Sequence, residues 1–82
     1  MLYNSKVTGK VIRALRRRRE ISQEVLSGMA GISRSHLSMI ETGEKSANVE
    51  TLWRIAAALD MKLSDLVRMV EESENAPPEE KT

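Results

Sequence analysis

Residues 22–43, SQEVLSGMAGISRSHLSMIETG, carry two helical patterns separated by a three-residue break. Ser22 is a good N-cap, and Val25, Leu26 and Met29 follow at helical spacing. The break is Ala30-Gly31-Ile32, in which Gly31 supplies the positive φ that a sharp turn requires. Ser33 caps the second pattern, Leu37 and Ile40 face inward, and Gly43 stops it. Ser27 is small where the two helices must cross, and a large side chain there would hold them apart. Two short helices meeting across a tight glycine turn are the sequence form of a helix-turn-helix.

The remaining chain supports an all-α domain. The spacing predicts a first helix over 6–19, with Thr8, Ile12, Leu15 and the stem of Arg19 on its apolar side and Val11 flanking. Residues 1–6 show no periodicity and read as an irregular arm or a frayed helix entry. Arg16 falls at the edge of the apolar stripe, so it needs an acidic partner. Ile21, just before the Ser22 cap, is placed to staple onto the second helix. Residues 42–47 read as a polar loop. A fourth helix over 49–59 follows an Asn48 cap, with Val49, Leu52, Ile55, Ala56 and Leu59 as its stripe. Asp60 ends it, since Asp tolerates a left-handed φ. A fifth helix over 63–72 carries Leu63, Leu66, Val67 and Val70. The expected organisation is one domain over 1–72 and a disordered acidic tail over 73–82.

Composition narrows the chemistry. The chain has 82 residues, 40% of them hydrophobic, with one Trp, one Tyr and no Phe, so its core must be aliphatic. A domain this small gains from burying more surface by dimerisation. The absence of Cys excludes disulfides and thiolate metal sites. A single His without a carboxylate cluster offers no catalytic metal set, and no nucleophile–base–orienter set or Gly-rich phosphate loop is present. The reading is therefore no enzyme, no cofactor and no metal. No apolar run approaches a membrane span or a signal peptide, and a cytoplasmic location is expected.

Charge points to the partner. The net charge is only +1, yet Lys6, Lys10, Arg13, Arg16, Arg17, Arg18, Arg19 and Arg34 crowd the first half, and Glu71, Glu72, Glu74, Glu79 and Glu80 the end. A basic front suits an anionic partner, although a solvated helix face gives the same run. At 100° per residue, Leu37, Ile40 and Glu41 share one side of the third helix. Ser35, Ser38, Met39 and Thr42 point away, with Arg34 and His36 on the edges. That outward face is short, polar and free of acid, as suits approach to a polyanion. Trp53 lies one step off the fourth helix's stripe, and an exposed aromatic is a good interface anchor.

These features together resemble the lambda-repressor-like, XRE-type helix-turn-helix family over roughly 11–66. The resemblance rests on Ser22-Gln23, the small Ser27, Gly31, Ile32-Ser33, Ile40-Glu41 with Gly43, Thr51-Leu52, and Ala56 with Leu59. The chain departs from the family's habits at Ser27, Ala47, Asp60 and Lys62. The resemblance implies a compact five-helix DNA-binding domain. It also implies a dimer reading pseudo-palindromic double-stranded DNA, with the third helix in the major groove. On that basis Arg34, Ser35, Ser38 and Met39 take base-reading positions, Arg34 being suited to guanine O6 and N7. Ser22, Gln23, Ser33, His36, Thr42, the Gly43 N–H, Lys45 and Arg17 (or Arg13) take phosphate or positioning roles. Arg16 and Glu41 match an ion pair tying the first helix to the third. Trp53, Leu63, Val67 and Val70 are the expected dimer seam. A small-molecule ligand is not expected. The alternative is an antitoxin or other protein-interaction module on the same fold, with the acidic tail as a weak candidate for its partner surface.

Overall fold

The computed structural model describes residues 4–74. Its elements are α1 (Ser5–Arg18), α2 (Gln23–Ala30), α3 (Arg34–Thr42), α4 (Val49–Ala58) and α5 (Leu63–Glu74), with no strand among the described residues. Helix α1 lies across α3 and α5, and α4 packs on α2 and α5. The core between them is aliphatic. Ile12, Leu26, Leu37, Ile40, Ile55, Leu59 and Leu66 are all fully buried, so every helix contributes.

The starts of α1 to α4 are each set by a short polar side chain. Ser22, Ser33 and Asn48 accept hydrogen bonds from the N–H groups of Val25, His36 and Thr51, at 3.1, 3.0 and 2.8 Å. Asn4 does the same for α1, accepting from Lys6 and Val7. It starts α1 at Ser5, so that within the irregular entry expected over 1–6 residues 4–6 form a capped helix start. The first four N–H groups of a helix have no partner within it and are costly to leave unmet near a core.

Three helix ends share one backbone device. After α1, α2 and α4 the chain turns through a left-handed residue: Glu20 at φ 58°, Gly31 at φ 75° and Asp60 at φ 60°. In each case that residue and the next donate N–H groups back to the last turn. Glu20 bonds to Arg17, and Ile21 to Arg16. Gly31 bonds to Gly28, and Ile32 to Ser27. Asp60 bonds to Ala57, and Met61 to Ala56. This paired closure caps the exposed carbonyls and reverses the chain within two residues. It also puts Ile21, Ile32 and Met61 against the core.

Four expectations change. Val49, read as part of the apolar stripe of α4, is 65% exposed in its first turn. Arg19 is exposed, because α1 ends at Arg18 and the Glu20 turn carries it away from the core. Gly9 is buried on that face instead. Ala47 is a core residue rather than part of a wholly polar loop. Helix α5 runs to Glu74, past the boundary read at residue 72, because Ser73 and Glu74 continue it although the apolar stripe has stopped. The expected tail beyond it, 75–82, and residues 1–3 lie outside the described residues.

Gly9 sets the distance between α1 and α3. A Cβ at that position would fall on the carbonyl oxygens of Ile40 and Glu41 and within 2.8 Å of the Glu41 carbonyl carbon. These are backbone atoms of a helix and cannot swing aside. Gly9→Ala is expected to lower stability by about 1–3 kcal/mol through overpacking, despite alanine's better helix propensity. Urea unfolding of the variant checks this; a gain in stability would show that α1 does not lie this close to α3.

Candidate nucleic-acid interface

Glu41 is the point on which three helices converge. Its carboxylate lies inside the molecule on the inner side of α3, with 2% of the side chain exposed. The Arg16 Nε of α1 donates to its Oε2 at 2.7 Å, and the Arg16 Nη2 to its Oε1 at 3.0 Å. The Gln23 amide at the start of α2 also donates to Oε1, at 3.0 Å. Arg16 Nη1 donates to the Ile21 carbonyl in the α1–α2 connection at 2.9 Å. Fork-to-fork pairing of this kind fixes both planes as well as the distance. The Glu41 hydrogen bonds raise the Arg16 pKa above its ordinary value. Burial opposes that shift, and the carboxylate charge adds to it. Because the shift is upward, the arginine side of the pair contributes in full below the ordinary arginine range and is lost only as pH rises through the raised value.

With its inner side held in this way, α3 presents the opposite side to solvent. Arg34, Ser35 and Met39 are exposed, and Ser38 and His36 half-buried. Beside this face lies an open hollow of about 520 Å³ walled by α1, α2 and α3. Arg13, Ser22, Gln23, Arg34, Ser38 and Thr42 line it. Residues from three separate stretches of sequence thus border one concave surface that carries Arg13 and Arg34. Lys45 and Arg17 are exposed outside it.

The cap serines keep a useful asymmetry. The Ser22 and Ser33 oxygens accept backbone N–H groups, which leaves each O–H able to donate outward. Two other expected donors are already used inside the fold. The Gly43 N–H donates to the Ile40 carbonyl at 3.1 Å to close α3, so it does not face an outside anion. The Thr42 hydroxyl lies 3.1 Å from the Met39 carbonyl and 3.2 Å from the Glu44 carboxylate, and its single proton serves one of them.

The hollow also holds a residue that sequence reasoning passed over. Glu24 lines it from α2, on the same hollow that Arg34 and Arg13 border. The outward face of α3 is free of acid, but the surface it belongs to is not. The signal was present in the adjacency of Glu24 to Gln23 at the head of α2. The residues expected to form a seam lie on α4 and α5. Trp53 is 62% exposed and Val67 39%, while Leu63 and Val70 are half-buried.

Removing Arg16 strands a buried carboxylate with only Gln23 for company. Arg16→Ala is expected to cost about 3–5 kcal/mol, while Arg16→Met combined with Glu41→Leu recovers most of that loss. Urea unfolding of both variants checks it; equal losses in the two would show that the pair's charge balance is not what Arg16 supplies.

Among the described residues no helix is long and apolar enough to cross a membrane, and no group of His, Cys, Asp or Glu is disposed to hold a metal. The HTH_3 helix-turn-helix family model matches residues 12–66. The chain is 32% identical over 68 residues to the uncharacterized HTH-type transcriptional regulator y4dJ of Sinorhizobium fredii, covering 83% of this chain and 88% of that protein. It is 33% identical over 63 residues to the uncharacterized HTH-type transcriptional regulator y4dL of the same organism. That match covers 77% of this chain but 32% of y4dL, so the chain spans about a third of that relative. Among solved structures, the DNA-binding domain of the P22 C2 repressor superposes with a TM-score of 0.71 at 32% identity, covering 79% of this chain and 86% of that one. The chain belongs to the HTH_3 helix-turn-helix family of lambda-repressor-like, XRE-type DNA-binding transcriptional regulators.

Proposed function

We propose that this protein binds a specific double-stranded DNA site as a homodimer, with α3 in the major groove. The observation that carries this reading is the two-sidedness of α3. Its inner side is locked by Arg16, Gln23 and the core, while Arg34, Ser35 and Met39 stand exposed on the other side, with Ser38 half-buried beside them. A helix held from behind and bare in front suits a groove about 12 Å wide. Arg34 pairs with guanine O6 and N7, Ser35 and Ser38 donate to or accept from base edges, and Met39 meets a thymine methyl. Ser22, Ser33, Gln23, His36, Lys45 and Arg17 hold the backbone on either side, with Thr42 joining them by exchanging its internal partner. The P22 C2 repressor fragment, described as a DNA-binding domain, supports the same use of this fold.

Dimerisation would bring two copies of α3 to successive half-sites about one helical turn apart. Trp53 and Val67, with Leu63 and Val70 beside them, supply the apolar seam. An exposed tryptophan on a small domain is the kind of anchor that dominates such interfaces.

Selection from a random duplex library is expected to return an inverted repeat. Arg34→Ala is expected to relax one position in each half-site, losing about 1–3 kcal/mol of discrimination there. Lys45→Ala should weaken all sequences alike and flatten the salt slope by about one unit. An unchanged motif for Arg34→Ala, or no enrichment for the native chain, would overturn the base-reading role. Sedimentation equilibrium of Trp53→Ala at micromolar concentration is expected to show monomer where the native chain is dimeric; an unaltered dimer would move the seam elsewhere.

A further inference from the structure

Helix α2 carries a glycine that the fold does not explain. Gly28 lies inside α2 without a left-handed φ, and a Cβ added there would meet nothing within 4 Å. Glycine is a poor helix former, so alanine would fit the site with a gain in helix propensity. Gly9 and Gly31 differ in this respect, since a close backbone approach requires the one and a turn the other. What Gly28 opens is an apolar hollow of about 630 Å³ between the end of α2 and α4, lined also by Met29, Arg54, Ala57 and Ala58. Val25 and Met29, one turn apart on α2, are exposed beside it. Trp53 stands one turn before Ala57 on α4, also exposed, and does not line the hollow. One face of the molecule thus carries a large aromatic knob and, next to it, a hole that the knob of the same chain leaves open.

We propose that this hollow receives Trp53 of a second copy of the chain, and that the exchange is mutual about a two-fold axis. This rests on the homodimer part of the reading above and specifies where the anchor lands. A closed two-fold contact uses one face twice, so that face must hold both the knob and the hole, as this one does. The lining suits an aromatic ring. Met29 brings a polarisable thioether to the ring edge, and Arg54 a guanidinium to the ring face. Arg54 is steadied at the rim: its Nη2 donates to Glu50 at 2.9 Å, and its Nη1 lies 3.2 Å from where a Cβ on Gly31 would stand. Charge is matched as well. Glu50 and Arg54 are exposed, opposite in sign and paired, so two copies of the face meet without an excess of like charge. A side chain at position 28 would stand where the ring enters, which gives the glycine its reason.

The test is sedimentation velocity of the full chain, with the emission of its one tryptophan as a second readout. Raising the concentration of the native chain should produce dimer and shift the Trp53 emission to the blue. Gly28→Leu fills the hollow and keeps the ring. It should raise the dimer dissociation constant by about tenfold or more and hold the emission of an exposed ring. Trp53→Ala removes the ring and keeps the hollow. An equimolar mixture of the two variants sets one intact ring against one open hollow, and should dimerise more tightly than either variant alone. Circular dichroism confirms that each variant is folded. If Gly28→Leu dimerises as the native chain does, with the same blue shift, the hollow is not where the ring lands; the proposal is then overturned and the homodimer stands. A mixture no tighter than its components overturns it likewise. If the native chain stays monomeric at every concentration, the proposal and the homodimer reading are overturned together.

Discussion

The buried pairing of Arg16 with Glu41 is the constraint on which the architecture turns. One carboxylate receives α1 through a guanidinium fork and α2 through the Gln23 amide, while its own backbone belongs to α3. Ion pairs inside a protein are a poor source of stability, because removing two charges from water costs about as much as their attraction returns. What this pair supplies is direction. Dispersion and apolar burial would tolerate a small rotation of α3 about its axis, since Leu37 and Ile40 can slide over aliphatic neighbours. A two-pronged hydrogen bond at 2.7 and 3.0 Å does not. The helix is thereby held at one rotation, and the same side chains always face outward.

Close approach of backbones is the second requirement, and small residues meet it. Gly9 lets α1 rest directly on the carbonyl edge of α3, and Ser27 is buried within α2 with its hydroxyl returned to the Glu24 carbonyl. The chain reversals are equally tight. Left-handed residues at Glu20, Gly31 and Asp60 close three helices in the same manner, although only one of them is glycine. A left-handed non-glycine residue carries a steric cost. Here it is offset by the carbonyls that the turn satisfies and by the apolar residue it delivers to the core next in sequence.

Most of this was legible in the sequence where a side chain announces its own role. The serines at 22 and 33 and Asn48 read directly as caps, and the helical periods of Leu37–Ile40 and Leu52–Ile55–Leu59 read directly as core. Arg16 asked for an acid because of its place in the stripe, and family resemblance pointed to Glu41. What was not legible depended on partners distant in the chain. Gly9 looks like a weak point in a helix until the carbonyls of Ile40 and Glu41 are seen against it. Asn4 follows no periodic segment that would mark it as a cap. Glu20 has a residue type that hides its φ, and Ala47 is too small to signal burial from within a polar loop. The Gly43 N–H seemed available because periodicity says nothing about which carbonyl a helix end will recruit. Glu24 was passed over because the hollow it lines is completed by residues of other helices, Arg13 and Arg34 among them.

The exposed set Arg34, Ser35 and Met39 belongs to a helix that is folded, capped and oriented by other residues. None of the three belongs to the buried core, and none shares the ion pair behind the helix. On the proposed reading, exchanging them would alter what the surface recognises while leaving the scaffold's energetics nearly untouched. The domain is in this sense a chassis with an interchangeable face, in which new preferences can arise by a few substitutions without first passing through an unfolded intermediate.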